Sequence, residues 1–187
     1  MLMKTRVQSP RTLLLPGWQN SDDDHWQSRW QQHFGFERVE QDDWLWPRRG
    51  DWMAQLEEAV RESEQPLRLV AHSLGCHLVA AWAAHSQLTS RVQGALLVAP
   101  PDLDRADLPP QLHNWRSSLP GRAPAPLPFR AIVAVSSDDP YGAIDRSGLL
   151  AAAWGADFIV CGAHGHLNSA SNIGDWPEGQ ALLATLG

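Results

Sequence analysis

The stretch Leu67-Arg68-Leu69-Val70-Ala71-His72-Ser73-Leu74-Gly75-Cys76-His77-Leu78-Val79-Ala80-Ala81-Trp82 joins a β-leaning apolar run to an alanine-rich helical pattern, with only a serine turn between them. Residues 67–71 read as a buried strand and residues 76–85 as a helix. A chain that turns this sharply from strand to helix strains the serine backbone and lifts the hydroxyl above the sheet. Tiny residues two before and two after the serine let strand and helix pack that closely. Gly75 meets the second requirement. Ala71 stands at the first, where glycine is more usual, and a methyl group is the smallest addition. A serine at a plain helix N-cap has the same composition, so the strand–turn–helix context carries the reading of Ser73 as a nucleophile.

Working outward, the same alternation repeats. Apolar strand-like runs fall at residues 12–15, 37–41, 94–99, 129–135 and 157–161, and helical patterns at 25–34, 51–62, about 144–154, and from Pro177-Glu178 onward. Proline suits the first position of a helix. Continuous apolar strands separated by helices predict an α/β fold: about six strands, mostly parallel, with helices on both faces. In the first helix, Trp26, Trp30 and Phe34 or His33 share a face, and Asp22, Asp23 and Asp24 are placed to cap its free N–H groups. In the second, Met53, Leu56 and Val60 share a face.

The chain of 187 residues predicts a single domain over 1–187, long enough to bury roughly 70% of the surface it exposes when unfolded. Fifteen basic against 21 acidic side chains give a net charge of −6, which speaks against a phosphate-backbone partner. No apolar run of secretory-signal length follows Lys4 and Arg6, and none approaches a membrane span. Cys76 and Cys161 form no C-x-x-C pair and lie in apolar runs, so buried thiols in a reducing, cytoplasmic setting are expected. Residues 100–128 hold Pro100, Pro101, Pro109, Pro110, Pro120, Pro124, Pro126 and Pro128, which disfavours a long regular element. This stretch leaves the carboxyl end of the fourth strand, where such sheets bind ligands, so a partial lid and a floppy surface loop are the two readings.

A serine hydroxyl needs a base to remove its proton, and in this type of fold the chain order is serine, acid, histidine. Ser136-Ser137-Asp138-Asp139-Pro140-Tyr141 follows the fifth strand, and Gly162-Ala163-His164-Gly165-His166-Leu167-Asn168 follows the sixth. Parallel topology brings both to the same edge as Ser73. His166, after Gly165 and before the polar Asn168, suits a loop that delivers a ring into a cleft, and His164 reads as structural. His72 adjoins the serine and is expected to point away from it. The pair His164 and His166 has metal-ligand character, but no second ligand cluster of suitable spacing accompanies it, so no metal is expected.

Leu15-Pro16-Gly17-Trp18, His25-Trp26 with Trp30, Ala71 to Gly75, Asp138-Asp139-Pro140-Tyr141, Gly165-His166-Leu167-Asn168 and Trp176-Pro177-Glu178-Gly179 occur in one order. Together they resemble the small serine hydrolases related to retinoblastoma-binding protein 9 and the bacterial YdeN proteins. The resemblance spans nearly the whole chain. It implies a compact α/β-hydrolase lacking the first two strands of larger relatives, with Ser73 as nucleophile, Asp139 as orienting acid and His166 as base. An L-x-C-x-E motif is absent, so the name transfers no retinoblastoma-protein partner. Asp139, just before Pro140, best fits the turn after the fifth strand. Asp138 next door and Asp102 or Asp104 after the fourth strand are the alternatives.

An oxyanion needs preorganised donors. The backbone N–H of Leu74 supplies one, and the loop at residues 16–19 should supply the other, from Trp18. Of the ten tryptophans, Trp26 and Trp30 read as core. Trp18, Trp44, Trp46, Trp115 and Trp176 lie in loop-like segments, where an apolar acyl pocket could use some of them. The whole pattern predicts a serine hydrolase cleaving a small carboxylic ester, an amide or a thioester, with no cofactor. The competing class is a non-catalytic or weakly catalytic binding protein on a hydrolase fold.

Overall fold

The strands are β1 (Arg11–Leu15), β2 (Glu37–Arg38), β3 (Leu67–His72), β4 (Val92–Val98), β5 (Arg130–Val135) and β6 (Asp157–Val160). The helices are α1 (Trp26–Phe34), α2 (Arg49–Arg61), α3 (Leu74–Ala83), α4 (Ile144–Trp154) and α5 (Pro177–Ala184). A computed structural model describes residues 9–116 and 124–187, and Lys4 and Arg6 lie outside them. The sheet order is β2-β1-β3-β4-β5-β6, and every pairing is parallel. The chain steps one way from β1 to β2, then the other way from β3 to β6. The reversal lies between β1 and β3, and the crevice at the carboxyl ends of such a pair is where open α/β sheets place ligands.

Period-2 alternation splits the apolar residues between two layers. Leu13 and Leu15 of β1 and Leu67, Leu69 and Ala71 of β3 face Trp52, Leu56, Val79, Trp82 and Trp154, from α2, α3 and α4. Leu14, Val70, Leu96, Val98 and Ile132 face Trp26, Trp30 and Leu183, from α1 and α5. Most of these side chains are completely buried, and each valine, leucine and isoleucine among them contributes roughly 1.5–3 kcal/mol by leaving water.

Several local expectations are corrected. The cap of α1 is His25, whose Nδ1 accepts from the Gln27 N–H, while the Asp22 carboxylate receives the Asp24 N–H within its own turn. Trp26 and Trp30 are buried, but Phe34, the last residue of α1, is 48% exposed. Helix α2 starts at Arg49 and buries Trp52 with Leu56 and Val60; Met53 sits beside this face, half-buried. Cys76 is buried, whereas Cys161 is only half-buried. Strand β6 is paired on one side only, so Phe158, Ile159 and Val160 stay exposed despite their apolar character.

The stretch after β4 is neither regular throughout nor floppy in its first half. Residues Pro110–Trp115 form a 3₁₀ helix, and Leu103, Leu108, Leu112 and Trp115 are buried in the α2–α3 layer. Residues 117–123, within the stretch that reads as either a partial lid or a surface loop, lie outside the described residues. Among the described residues no helix is long and apolar enough to cross a membrane.

Candidate active site

Strand β3 ends at His72, Ser73 has φ 54° and ψ −123°, and α3 begins at Leu74. A non-glycine residue at such a dihedral pair costs on the order of 1–3 kcal/mol. The surroundings hold it there. Ser73 N–H donates to Val98 O at 2.8 Å. A Cβ on Gly75 would lie 2.3 Å from the Leu15 carbonyl oxygen, so only glycine lets α3 start this close to β1. A Cβ on Gly17 would lie 2.7 Å from the Ser73 Cβ and 3.2 Å from the Leu74 nitrogen, so the loop after β1 rests directly on the elbow.

The three chain ends converge as parallel topology requires. His166 Nε2 and Ser73 Oγ are 2.9 Å apart. His166 Nδ1 is 3.0 and 2.9 Å from the two carboxylate oxygens of Asp139, whose side chain is 2% exposed. With Nδ1–H donating to the carboxylate, Nε2 is left as an acceptor for the Ser73 hydroxyl. The Tyr141 N–H donates to Asp139 Oδ1 at 2.9 Å and fixes the carboxylate from behind. Tyr141 also sets its ring edge-on to His166, 4.7 Å between centroids.

The other candidates fall elsewhere. Asp138 accepts from Ser136 Oγ at 2.6 Å and from the Gly165 N–H at 2.7 Å. Those two bonds, the Ser136 hydroxyl first, hold its carboxyl below the usual range. Asp102 and Asp104 pair with Arg146, at 3.3 and 2.9 Å. His164 is exposed, and among the described residues only its backbone is hydrogen-bonded: its N–H donates to Ser136 Oγ at 2.7 Å. Among the described residues no cluster of three or more His, Cys, Asp or Glu side chains is arranged to hold a metal ion. Among the described residues, neither the Leu74 nor the Trp18 N–H donates to a backbone acceptor. Trp18 is anchored by its indole, whose N–H donates to Leu45 O at 2.9 Å.

The loop tryptophans divide. Trp115 and Trp176 are core residues, at 4% and 2% exposure. Trp46 is exposed and, with Trp52, Asp43, Pro110 and Asn114, lines a hollow of about 690 Å³ at the carboxyl edge. None of Ser73, Asp139 or His166 lines it.

Buried polar side chains surround the strand ends, and one of them, Gln27, was not singled out by sequence patterns. Gln27, fully buried on α1, donates from Nε2 to Leu15 O at 3.3 Å and Val70 O at 3.1 Å, tying the carboxyl ends of β1 and β3 together. His72 does point away from the serine, into a buried position against the His166 loop. His77 donates from Nε2 to Pro101 O at 2.8 Å, because a carbonyl can only accept.

Burial pushes His25 down to about 3, His77 to about 4 and His72 well below the ordinary 6.5, because the charged ring would lose water. All three are therefore neutral in the fold while the unfolded chain takes up protons as pH falls. Their contribution is intact above pH 6.5 and is lost from there down toward pH 4 and 3. Each costs up to about 1.4 kcal/mol per pH unit in that window. Urea midpoints are thus expected to drop steeply between pH 6.5 and 4.5, and His77→Gln, which keeps a donor for Pro101, should flatten the slope. An unchanged slope in that variant would contradict the assignment.

A model of the family described as serine hydrolase matches residues 12–185. A YdeN-like hydrolase of Pectobacterium atrosepticum is 27% identical, with a TM-score of 0.83 over 96% of this chain and 91% of that one. The ydeN product of Bacillus subtilis, at 21% identity and TM-score 0.73, matches 95% of this chain and 98% of its own. A Bacillus cereus carboxylesterase, at 16% identity and TM-score 0.61 over 97% and 90% of the two chains, shares the fold. No curated protein sequence matches this chain. With the family model covering almost its entire length, the chain belongs to the serine hydrolases and has the α/β-hydrolase fold.

Proposed function

We propose that this protein hydrolyses small carboxylic esters, and by the same steps amides or thioesters, through an acyl-enzyme on Ser73. The unbroken hydrogen-bonded chain from Ser73 Oγ through His166 to the buried Asp139 carries the reading. His166 Nε2 takes the hydroxyl proton as Oγ attacks the carbonyl carbon. The N–H groups of Leu74 and Trp18 stabilise the oxyanion. His166 then returns the proton to the leaving oxygen, nitrogen or sulfur, and the acyl group stays on Oγ. Water repeats the sequence: His166 takes its proton, the hydroxide attacks, and the acid departs as Ser73 regains its hydrogen. Asp139 holds the imidazole tautomer throughout and never takes the proton. A carboxylesterase and a thioesterase among the structures of similar fold agree with acyl transfer of this range. The complete chain of three groups favours an enzyme over a binding protein on the same scaffold.

A serine-directed fluorophosphonate is expected to add once, to the peptide holding Ser73, and a panel of aryl esters to show an acyl-length optimum. Absence of both labelling and ester turnover in folded protein would refute the proposal.

A further inference from the structure

His166 sits between two residues in the left-handed region, Gly165 at φ 56° and Leu167 at φ 48°. Glycine adopts that conformation freely; a fully buried leucine does so only if its neighbours enforce it. Three bonds hold the approach to this turn. Ser136 Oγ receives the His164 N–H, Asp138 receives the Gly165 N–H, and Ser171 Oγ donates to His164 O at 2.5 Å. Two others grip the turn itself, at consecutive carbonyls. His72 Nε2 lies 2.9 Å from His166 O, and Trp26 Nε1 lies 2.8 Å from Leu167 O.

The origin of these donors gives them their meaning. His72 is bonded directly to Ser73, so the two reacting side chains hang from one short closed path: Ser73, its preceding residue, and the His166 carbonyl. Trp26 comes from α1 and is itself packed against His72, with ring centroids 6.1 Å apart. His25 lies 4.7 Å from His72 on another side, and the His166 ring 4.9 Å away. Nε2 of His72 must carry the hydrogen, since a carbonyl accepts only, and burial keeps the ring neutral.

Building on the reading of Ser73 and His166 as nucleophile and base, we infer that His72 and Trp26 are positioning residues. Their N–H groups clamp the carbonyls of His166 and Leu167 and so set the separation between Ser73 Oγ and His166 Nε2. Neither touches substrate. Their loss should therefore slow the chemical step without weakening binding, because misplacement by about 1 Å can cost about 10²-fold.

The test uses the full chain in three variants. His72→Leu fills the space without a donor, His72→Gln restores an N–H at similar reach, and Trp26→Phe keeps an aromatic ring but removes its donor. Steady-state constants on an aryl ester are measured beside thermal midpoints and the low-field proton resonance of His166 Nδ1–H bonded to Asp139. For His72→Leu, kcat is expected to fall about 10²-fold with KM within about twofold, and the low-field resonance to shift or vanish. His72→Gln should recover most of both. If His72→Leu does not fold, Trp26→Phe carries the test, with kcat about tenfold down, KM unchanged and the resonance moved. Wild-type kcat in a donor-less variant, a rise in KM alone, or a folded Gln variant no better than Leu would overturn the inference. Because the resonance needs no turnover, it judges the clamp even if the wild type neither labels nor hydrolyses esters, an outcome that would sink only the proposed function.

Discussion

Ser73→Ala is expected to lower kcat by about 10⁶-fold and to abolish fluorophosphonate labelling, while circular dichroism and the thermal midpoint stay near wild type. The methyl group fits wherever the Ser73 Cβ already lies, and among the described residues the hydroxyl's one side-chain hydrogen bond is to His166, so little folding free energy leaves with it. The backbone at φ 54° remains enforced by the Val98 carbonyl and by the glycines packed against the elbow. His166→Ala should cost nearly as much. The double variant should be scarcely worse than either single one, since a nucleophile without its base and a base without its nucleophile fail at the same step. His164→Ala should keep most activity, because among the described residues only the backbone of that residue is hydrogen-bonded. Undiminished labelling of Ser73→Ala would assign the nucleophile to another residue.

Asp139→Asn should leave Ser73 in place and lower kcat by about 10⁴-fold, the loss known when the acid of a protease triad is made neutral. An asparagine that turns its amide toward His166 Nδ1 donates where the carboxylate accepted. The ring proton then moves to Nε2, the atom that must receive the serine's hydrogen. Asp138→Asn should be mild: its Oδ1 already receives Ser136 and Gly165, and an amide oxygen can accept from both. Asp102→Asn should change little, since its partner is Arg146. Steady-state kinetics on the three variants separates them; a collapse in Asp102→Asn with Asp139→Asn unaffected would contradict the geometry.

The candidate site was legible because few residue types can do this chemistry and parallel topology forces their strand ends to one edge. Ser73, Asp139 and His166 each follow an apolar run, so the pattern placed them together without any knowledge of distance. Asp138 and Asp139 could not be separated that way. Adjacent residues on a turn differ only in the direction of their side chains, and that depends on Ser136 and Gly165. Gln27 was missed for a related reason: a buried glutamine between two carbonyls has no local signature, because its partners are at Leu15 and Val70. The exposure of β6 was hidden because an apolar run reads the same whether or not another strand follows it in the sheet. His25 displaced the aspartates as cap of α1 through its ring nitrogen, a choice made by the final chain path rather than by propensity.

The packing around Trp26 gives the protein a built-in optical reporter. Trp26 lies 4.8 Å from Trp30 and 5.0 Å from Trp176, and Trp30 and Trp176 are stacked at 6.1 Å with planes 16° apart. Indoles this close share their excited states, so the ultraviolet circular dichroism is expected to carry a paired band whose size follows their mutual angles. Trp26 is also hydrogen-bonded to the residue after His166. Any loosening of that turn should disturb the exciton pair, so the spectrum of the unlabelled protein is expected to follow the order of the loop that carries His166.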